Sequence, residues 1–249
     1  MEIFISEKDM VRAMEQNYRR VLLKMSGEAL AGEKGRGIDF DFTAQVCRSV
    51  RKCMDAGVQV AIVVGGGNYW RGGKDGGDRM VRTRADYMGM LATAMNSTAL
   101  LDALEKEGVE AVIQASFGLE RIAEPFNPDA AIRHLKAGRA VIFACGSGEP
   151  YFTTDTAAVL RALDIQADAL LLGKNVDGLY SADPKLDPTA TKFDRIEYRE
   201  VLARDLKAMD AAATQLAMEN GLPLCVFGLK DPENIARAAA GEAIGTIVY

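Results

Sequence analysis

Val60-Ala61-Ile62-Val63-Val64-Gly65-Gly66-Gly67-Asn68-Tyr69-Trp70-Arg71-Gly72-Gly73 is the stretch that decides the fold. Five apolar, mostly β-branched residues run straight into three glycines. A continuous apolar run of this length, stopped by glycine, reads as a buried strand of a parallel sheet. Glycine has no Cβ, so it admits positive φ and a close approach of backbone N–H groups to a ligand. Consecutive N–H groups aimed one way form an anion-binding nest. The planar guanidinium of Arg71 suits a phosphate. A tight strand-to-helix turn beside a surface arginine explains the same residues, so this stretch alone leaves both readings open.

Upstream, residues 18–24 read as a short strand with basic ends. Lys24 closes it beside the turn Met25-Ser26-Gly27-Glu28-Ala29-Leu30. The carboxyl end of a parallel strand is where α/β proteins place ligand groups, although a lysine can also simply end a strand. Residues 39–56 predict an amphipathic helix, with Phe42, Val46, Val50 and Cys53 at three- and four-residue spacing and Gly57 as its stop. Downstream, residues 74–84 read as a loop, 86–106 as a long helix, and 109–115 as a strand. Residues 117–128 read as irregular, followed by a helix over 129–137 that Pro128 would start.

Residues 140–145 are a further buried strand, feeding the glycine and hydroxyl loop Gly146-Ser147-Gly148-Glu149-Pro150-Tyr151-Phe152-Thr153-Thr154-Asp155. This loop opens a helix expected over 156–163. Backbone N–H groups at its start, with Thr153 and Thr154, make a second candidate anion site. Asp155 stands where it either caps that helix or serves a ligand. A strand over 167–173, an excursion off the sheet over 174–184, and helical segments within 199–220 follow. Strands over 223–227 and 245–249 flank a short helix over 232–240. The alternation predicts an α/β fold, a three-layer α/β/α sandwich with a mostly parallel central sheet. The loops after Lys24, Val64 and Cys145 should converge at its carboxyl edge.

Composition narrows the function. The 249 residues can bury a large core, and 49% hydrophobic with 26% charged residues is ordinary for a globular protein. A formal net charge of -5 argues against a nucleic-acid partner. Cys47, Cys53, Cys145 and Cys225 form no Cys-x-x-Cys pair and stand away from His134, so no zinc site is expected. Each reads as a small buried hydrophobe. Residues 1–17 mix charge with no apolar run of a signal peptide and read as an N-terminal extension. No apolar run reaches membrane-spanning length, so no membrane partner is expected, and a reducing cytoplasm fits. His134 lies in the helix-surface pattern Ala131-Ile132-Arg133-His134-Leu135-Lys136 and reads as structural or solvated. Mechanisms that rest on a histidine base are thereby disfavoured.

Several motifs together resemble the amino acid kinase family over residues 18–249. They are Leu23-Lys24-Met25-Ser26-Gly27-Glu28-Ala29-Leu30, Gly65-Gly66-Gly67-Asn68 with Arg71, Asp86-Tyr87-Met88-Gly89-Met90-Leu91-Ala92-Thr93, residues 146–155, Asn175-Val176-Asp177-Gly178-Leu179-Tyr180 with Asp183-Pro184, and Met209-Asp210. Segments 86–93 and 146–155 select the UMP kinase branch. The resemblance implies phosphoryl transfer from ATP to UMP, giving UDP in pyrimidine nucleotide synthesis. It implies Mg2+ arriving with ATP rather than at a resident metal site, with Asp155 and Asp210 as the carboxylates that hold the catalytic lysine and the magnesium-nucleotide in place, a homohexamer, and UTP as an inhibitor.

By the same resemblance, Lys24, Met25, Ser26, Gly27, Gly67, Arg71, Asn175, Tyr180 and Asp183 bind ATP. Gly66, Asp86, Ser147, Gly148, Glu149, Pro150, Tyr151, Phe152, Thr153 and Thr154 bind UMP. Lys24, Asp155 and Asp210 are the catalytic set. The chemistry agrees, because phosphoryl transfer needs positioning and charge neutralisation more than covalent help. A UMP phosphate oxygen is already anionic and needs no general base.

Two alternatives keep the fold. A carboxylate-phosphorylating kinase is disfavoured by segments 86–93 and 146–154. A non-catalytic nucleotide-binding or storage protein is disfavoured by Lys24, Asp155 and Asp210 occurring together. The chain also departs from its relatives. Glu149 stands where they usually carry Asn, and Asn127-Pro128-Asp129 replaces a basic stretch. Leu101-Asp102-Ala103-Leu104-Glu105 lacks the Arg or His of GTP-activated relatives, which predicts weak or absent GTP activation.

Overall fold

The computed structural model describes residues 18–71, 75–184 and 186–249. The extension 1–17 and the last glycines of the opening stretch, Gly72 and Gly73, lie outside them. The apolar run forms β2 (Gln59–Val64), flanked by β1 (Arg20–Met25) and β5 (Ala140–Ala144). Further strands are β3 (Ala111–Ala115), β4 (Glu124–Pro125), β6 (Ala169–Lys174), β7 (Arg195–Ile196), β8 (Leu224–Gly228) and β9 (Thr246–Val248). They form one nine-stranded sheet in the order β4-β3-β5-β2-β1-β6-β8-β9-β7 among the described residues. The β8–β9 pairing is antiparallel, and the other strand pairs are parallel.

Each face of the sheet carries a core. Val21, Leu23 and Met25 of β1 join Val60, Ile62 and Val64 of β2 in one cluster, while Leu22, Ala61 and Val63 join the other. Strand alternation sorts them, and each fully buried aliphatic side chain stabilises by about 1.5–3 kcal/mol. Helices α2 (Phe40–Asp55), α3 (Arg82–Lys106) and α8 (Glu233–Ala239) cover the first face. Helices α4 (Pro128–Lys136), α5 (Thr154–Asp164), α6 (Tyr198–Ala203) and α7 (Ala211–Glu219) cover the second. A single turn, α1 (Gly27–Leu30), follows β1. The three layers are those the sequence predicts.

Some boundaries differ from expectation. Helix α3 starts at Arg82, inside the expected loop, because Val81 offers no side-chain cap to mark the start. Helix α5 starts at Thr154 because Thr153, not Asp155, supplies the cap. Strands β4 and β7 have two residues each, too short to leave a period in the sequence. All four cysteines are buried free thiols. Burial pushes Cys47, Cys53 and Cys225 up to about 12 and Cys145 up to about 11, far from thiolate chemistry. His134 sits on α4, with Nε2 3.1 Å from Glu124 Oε2 and Nδ1 3.3 Å from Arg139. Among the described residues, no helix is long and apolar enough to cross a membrane.

Candidate active site

The carboxyl ends of β1, β2 and β5 open into one cleft of about 500 Å³. Lys24, Ser26, Gly65, Gly66, Gly67, Trp70 and Arg71 line it on one side, with Asp86, Gly89, Met90 and Thr93 of α3 beside them. Gly146, Ser147, Phe152, Thr153, Thr154 and Asp155 close the other side.

The glycines do something different from what the sequence suggests. None of Gly65, Gly66 and Gly67 takes positive φ. Gly66 is needed for close packing instead, whereas a Cβ on Gly65 or Gly67 would come no nearer than 3.3 Å to a neighbour. A Cβ on Gly66 would lie 2.6 Å from Gly89 O and 2.8 Å from Ala92 Cβ. A Cβ on Gly27 would collide with Gly65 O and Asn68 Oδ1. The turns after β1 and β2 can therefore touch, and α3 can lie directly on the second.

Buried amides lock that contact. Asn96 Nδ2 donates to Gly65 O at 2.7 Å, and Asn68 Nδ2 donates to Gly37 O at 2.7 Å and to Asn96 Oδ1 at 2.9 Å. Both side chains are buried, and a buried amide that lost its partner would cost about 1–3 kcal/mol. Ser26 Oγ accepts from Glu28 N at 3.2 Å and starts α1.

The second loop carries the positive φ values, at Cys145 (64°), Gly146 (56°), Gly148 (86°) and Tyr151 (71°). Thr93 Oγ1 accepts from Cys145 N at 2.8 Å and so ties the start of the loop to α3. Tyr151 N donates to Asp86 Oδ2 at 3.0 Å and ties its far end to the same helix. Arg82 Nε contacts both Asp86 oxygens at 2.9 Å, and its guanidinium lies 5.5 Å from the Tyr151 ring centre. Thr153 Oγ1 accepts from Asp155 N at 3.0 Å and from Thr156 N at 3.4 Å.

With the cap filled by Thr153, the Asp155 carboxylate is free to face the cleft, where it pairs with the Lys24 ammonium. The two side chains are 12% and 17% exposed, so water screens this pair little. Asp210 caps α7, accepting from Ala213 N at 2.9 Å, and also accepts from the hydroxyls of Thr153 and Thr156. It holds α7 to the start of α5, and among the described residues the carboxylate paired with Lys24 is that of Asp155. Arg71 pairs with Glu28. Lys24 and Arg71, the cations lining the cleft, are thus each matched by a carboxylate.

Not every expected residue meets here. The Met25 side chain lies in the core, and only its backbone serves the site, accepting from Gly65 N at 3.0 Å. Gly27 packs behind the cleft, and Gly148, Glu149, Pro150 and Tyr151 form its outer loop. Asn175, Tyr180 and Asp183 lie beyond β6, outside the cleft lining. There Tyr180 donates to Asp177 Oδ1 at 2.7 Å, and Lys192 Nζ lies 3.2 Å from Asp177 Oδ2. The Tyr180 hydroxyl, and then Lys192, hold the Asp177 carboxyl below its ordinary range. Trp70, Gly89, Met90 and Thr93 line the cleft without having been singled out as site residues. Asp86, Gly89, Met90 and Thr93 fall at i, i+3, i+4 and i+7, a one-face helical spacing that was available in the sequence.

Comparison with known proteins places the whole chain. The model of the amino acid kinase family matches residues 19–228. A UMP kinase from Bacillus anthracis is 35% identical, with a TM-score of 0.90 over 94% of this chain and 96% of that one. A UMP kinase from Ureaplasma parvum is 34% identical, with a TM-score of 0.87 over 92% and 98%. A uridylate kinase from Archaeoglobus fulgidus is 30% identical, with a TM-score of 0.71 over 92% and 99%. Matched along nearly its whole described length by one family's model, and sharing its fold with solved UMP kinases, the chain belongs to the amino acid kinase family.

Proposed function

We propose that the chain is a UMP kinase that transfers the γ-phosphoryl group of ATP to UMP, releasing ADP and UDP in pyrimidine nucleotide synthesis. One observation carries this reading. The Lys24–Asp155 pair sits in the cleft between the packed glycine turn and a hydroxyl-rich loop latched to Asp86. The solved relatives bearing the names UMP kinase and uridylate kinase support the choice of acceptor.

In this reading UMP enters between Gly66, Asp86 and residues 147–154, with its ribose hydroxyls on Asp86. The donor phosphates run past Ser26, Gly27, Gly67 and Arg71, and the adenosine lies on Asn175, Tyr180 and Asp183. A UMP phosphate oxygen attacks the γ-phosphorus, the bond to the β-bridging oxygen breaks, and ADP leaves with the negative charge. Lys24 meets charge spreading over the transferring oxygens, and Asp155 keeps that ammonium in place. A group fixed before the reaction needs no reorganisation during it. Asp210 acts at one remove, holding Thr153 and Thr156.

Mg2+ accompanies ATP. A phosphate-borne magnesium takes one or two protein carboxylates, and Asp155 and Asp210, at the starts of neighbouring helices, fit that need. When bound, it neutralises the β- and γ-phosphate oxygens.

UTP, which shares the uridine, should inhibit by occupying the acceptor loop. Residues 18–249 act as one kinase domain, with 1–17 as an extension. The buried thiols suit a reducing cytoplasm. The exposed side chains Tyr87, Leu91 and Met95, four residues apart on α3 and joined by Met88, support assembly into a homohexamer. Light scattering should give a hexamer mass, and a monomer at micromolar concentration would refute the assembly. A coupled assay with UMP, CMP and N-acetylglutamate tests the reaction. UMP should be the preferred acceptor, and phosphorylation of N-acetylglutamate without UMP would overturn the reading.

A further inference from the structure

Strand β6 ends in Lys174, a half-buried lysine with no role in the mechanism above. The register of β1 and β6 aligns Lys24 with Leu172 and Met25 with Gly173, so Lys174 stands one residue beyond the end of β1. Aligned residues of parallel neighbours face the same side of a sheet, and so do residues two apart on one strand. Lys24 and Lys174 therefore leave the same face, the one that buries Leu22, Leu170 and Leu172 and carries α5 and α7. Along the strands, Lys174 lies further out, beside the start of α5.

Its surroundings are electrically incomplete. Asp155 attracts the Lys174 ammonium and Lys24 repels it. Burial acts more strongly than either and draws the lysine below its ordinary value. Asp155 is already engaged by Lys24. Among the described residues, no hydrogen bond or ion pair holds the Lys174 ammonium. Two cations share one carboxylate here, and a half-buried surplus positive charge is costly unless an anion joins it. The next residue, Asn175, begins the turn proposed for adenosine. Lys174 thus stands between the cleft and that turn, where a donor's phosphate chain would have to cross.

We propose that Lys174 is a second catalytic cation, whose ammonium contacts the γ-phosphate of the nucleotide donor from the side opposite the acceptor. The inference rests on the UMP kinase reading for the identity of the donor. Lys24 and Lys174 would then share the charge of the transferring group, with Asp155 keeping the two ammonium groups together in its absence.

Calorimetric titration of wild type, Lys174→Met and Lys174→Arg with Mg2+ and either AMPPNP or ADP tests this without turnover. Lys174→Met should bind AMPPNP at least about tenfold more weakly while ADP binding stays within about twofold, because only AMPPNP has the third phosphoryl group. Lys174→Arg should recover part of the loss. In the UMP assay, Lys174→Met should lower kcat by about a hundredfold with KM for UMP unchanged. Equal weakening of both nucleotides would mark a structural role and overturn the proposal, and so would no weakening of either. If Lys174→Met does not fold, Lys174→Gln replaces it in the same comparison. A wild type that binds AMPPNP but makes no UDP refutes the UMP reading, and the calorimetry then decides Lys174 alone. A wild type that binds neither nucleotide overturns both.

Discussion

Around the cleft, the side chains that would face substrate are fixed by the fold. Asn68 and Asn96 clamp the glycine turn, Thr93 holds the start of the second loop, and Asp155 meets Lys24 in a place that water barely reaches. Beyond β6, Leu179 is anchored in the core and its N–H donates to Thr246 Oγ1 at 2.8 Å, but the polar side chains around it are held by short-range contacts. Tyr180 bonds Asp177 three residues away, Lys192 reaches the same carboxylate, and Tyr180 forms a single antiparallel bridge with Lys192. The Lys192 and Asp177 side chains are 32% and 62% exposed. One region is set before substrate arrives, and the other can adjust to it. Chemistry that depends on placing charge to within a fraction of an ångström belongs in the first. Adenosine, which does not react, can be gripped by the second.

The largest effect should therefore come from the fixed region. Lys24→Ala should lower kcat by about a hundred- to a thousandfold, the usual result of removing one preorganised group, while UMP binding measured by calorimetry persists. Asp155→Asn should lower kcat in the same direction with little loss of thermal stability, because the helix cap is Thr153. A Lys24→Ala protein with near-normal kcat would remove the distinction between the two regions.

Asp86 comes next. Its carboxylate joins α3 to the outer end of the acceptor loop. Losing a charge-assisted hydrogen bond is worth about 1.5–3 kcal/mol, so Asp86→Ala should raise KM for UMP by about ten- to a hundredfold and leave KM for ATP nearly unchanged. Steady-state kinetics with each substrate varied in turn will show it. Equal rises in both KM values would mean that the acceptor loop is not specific to the acceptor.

The contrast also explains what the sequence makes legible. Strand β2 and its glycines announce themselves because a doubly buried strand must be continuously apolar. The pairing of Lys24 with Asp155 is less legible, since Thr153, Thr154 and Asp155 are all acceptable caps and only the fold chooses Thr153. The helical spacing of Asp86, Gly89, Met90 and Thr93 was readable. Asn96 was not, because one polar residue in a long helix looks solvated until the Gly65 carbonyl is seen above it. Lys174, and the position of the turn that begins at Asn175, escape for a further reason. Their place relative to the cleft depends on the β1–β6 crossover register, which no local pattern encodes.

The adjustable region should respond more gently. Tyr180→Phe removes one exposed hydrogen bond, worth about 0.5–1.5 kcal/mol, so KM for ATP should rise about two- to tenfold with kcat largely kept. Acid should mimic it. The folded-state value of Asp177 lies below its unfolded one, chiefly through Tyr180. Its stabilising contribution is therefore complete above the ordinary aspartate value of about 3.9 and is lost as pH falls through the depressed value. Chemical-shift titration of the Asp177 carboxyl in wild type and Tyr180→Phe should show the midpoint rising in the variant.

The smallest effect is expected at His134, in neither region. Its ring bridges Glu124 and Arg139 on the rim near β4, and the cleft lining does not include it. A nucleophile that is already anionic asks for no proton acceptor, and the leaving ADP asks for no donor when cations carry its charge. His134→Ala should thus keep kcat and both KM values within about twofold, since the contacts it removes, to Glu124 and Arg139, lie outside the cleft lining and no proton transfer depends on the ring. The pH–rate profiles of wild type and variant should superimpose between pH 6 and pH 9, where general-base catalysis by a histidine would leave its limb. A limb present in wild type and absent in His134→Ala would place a proton transfer in the reaction. The division into a fixed, charge-placing cleft and a compliant donor turn would then need a third, titrating component.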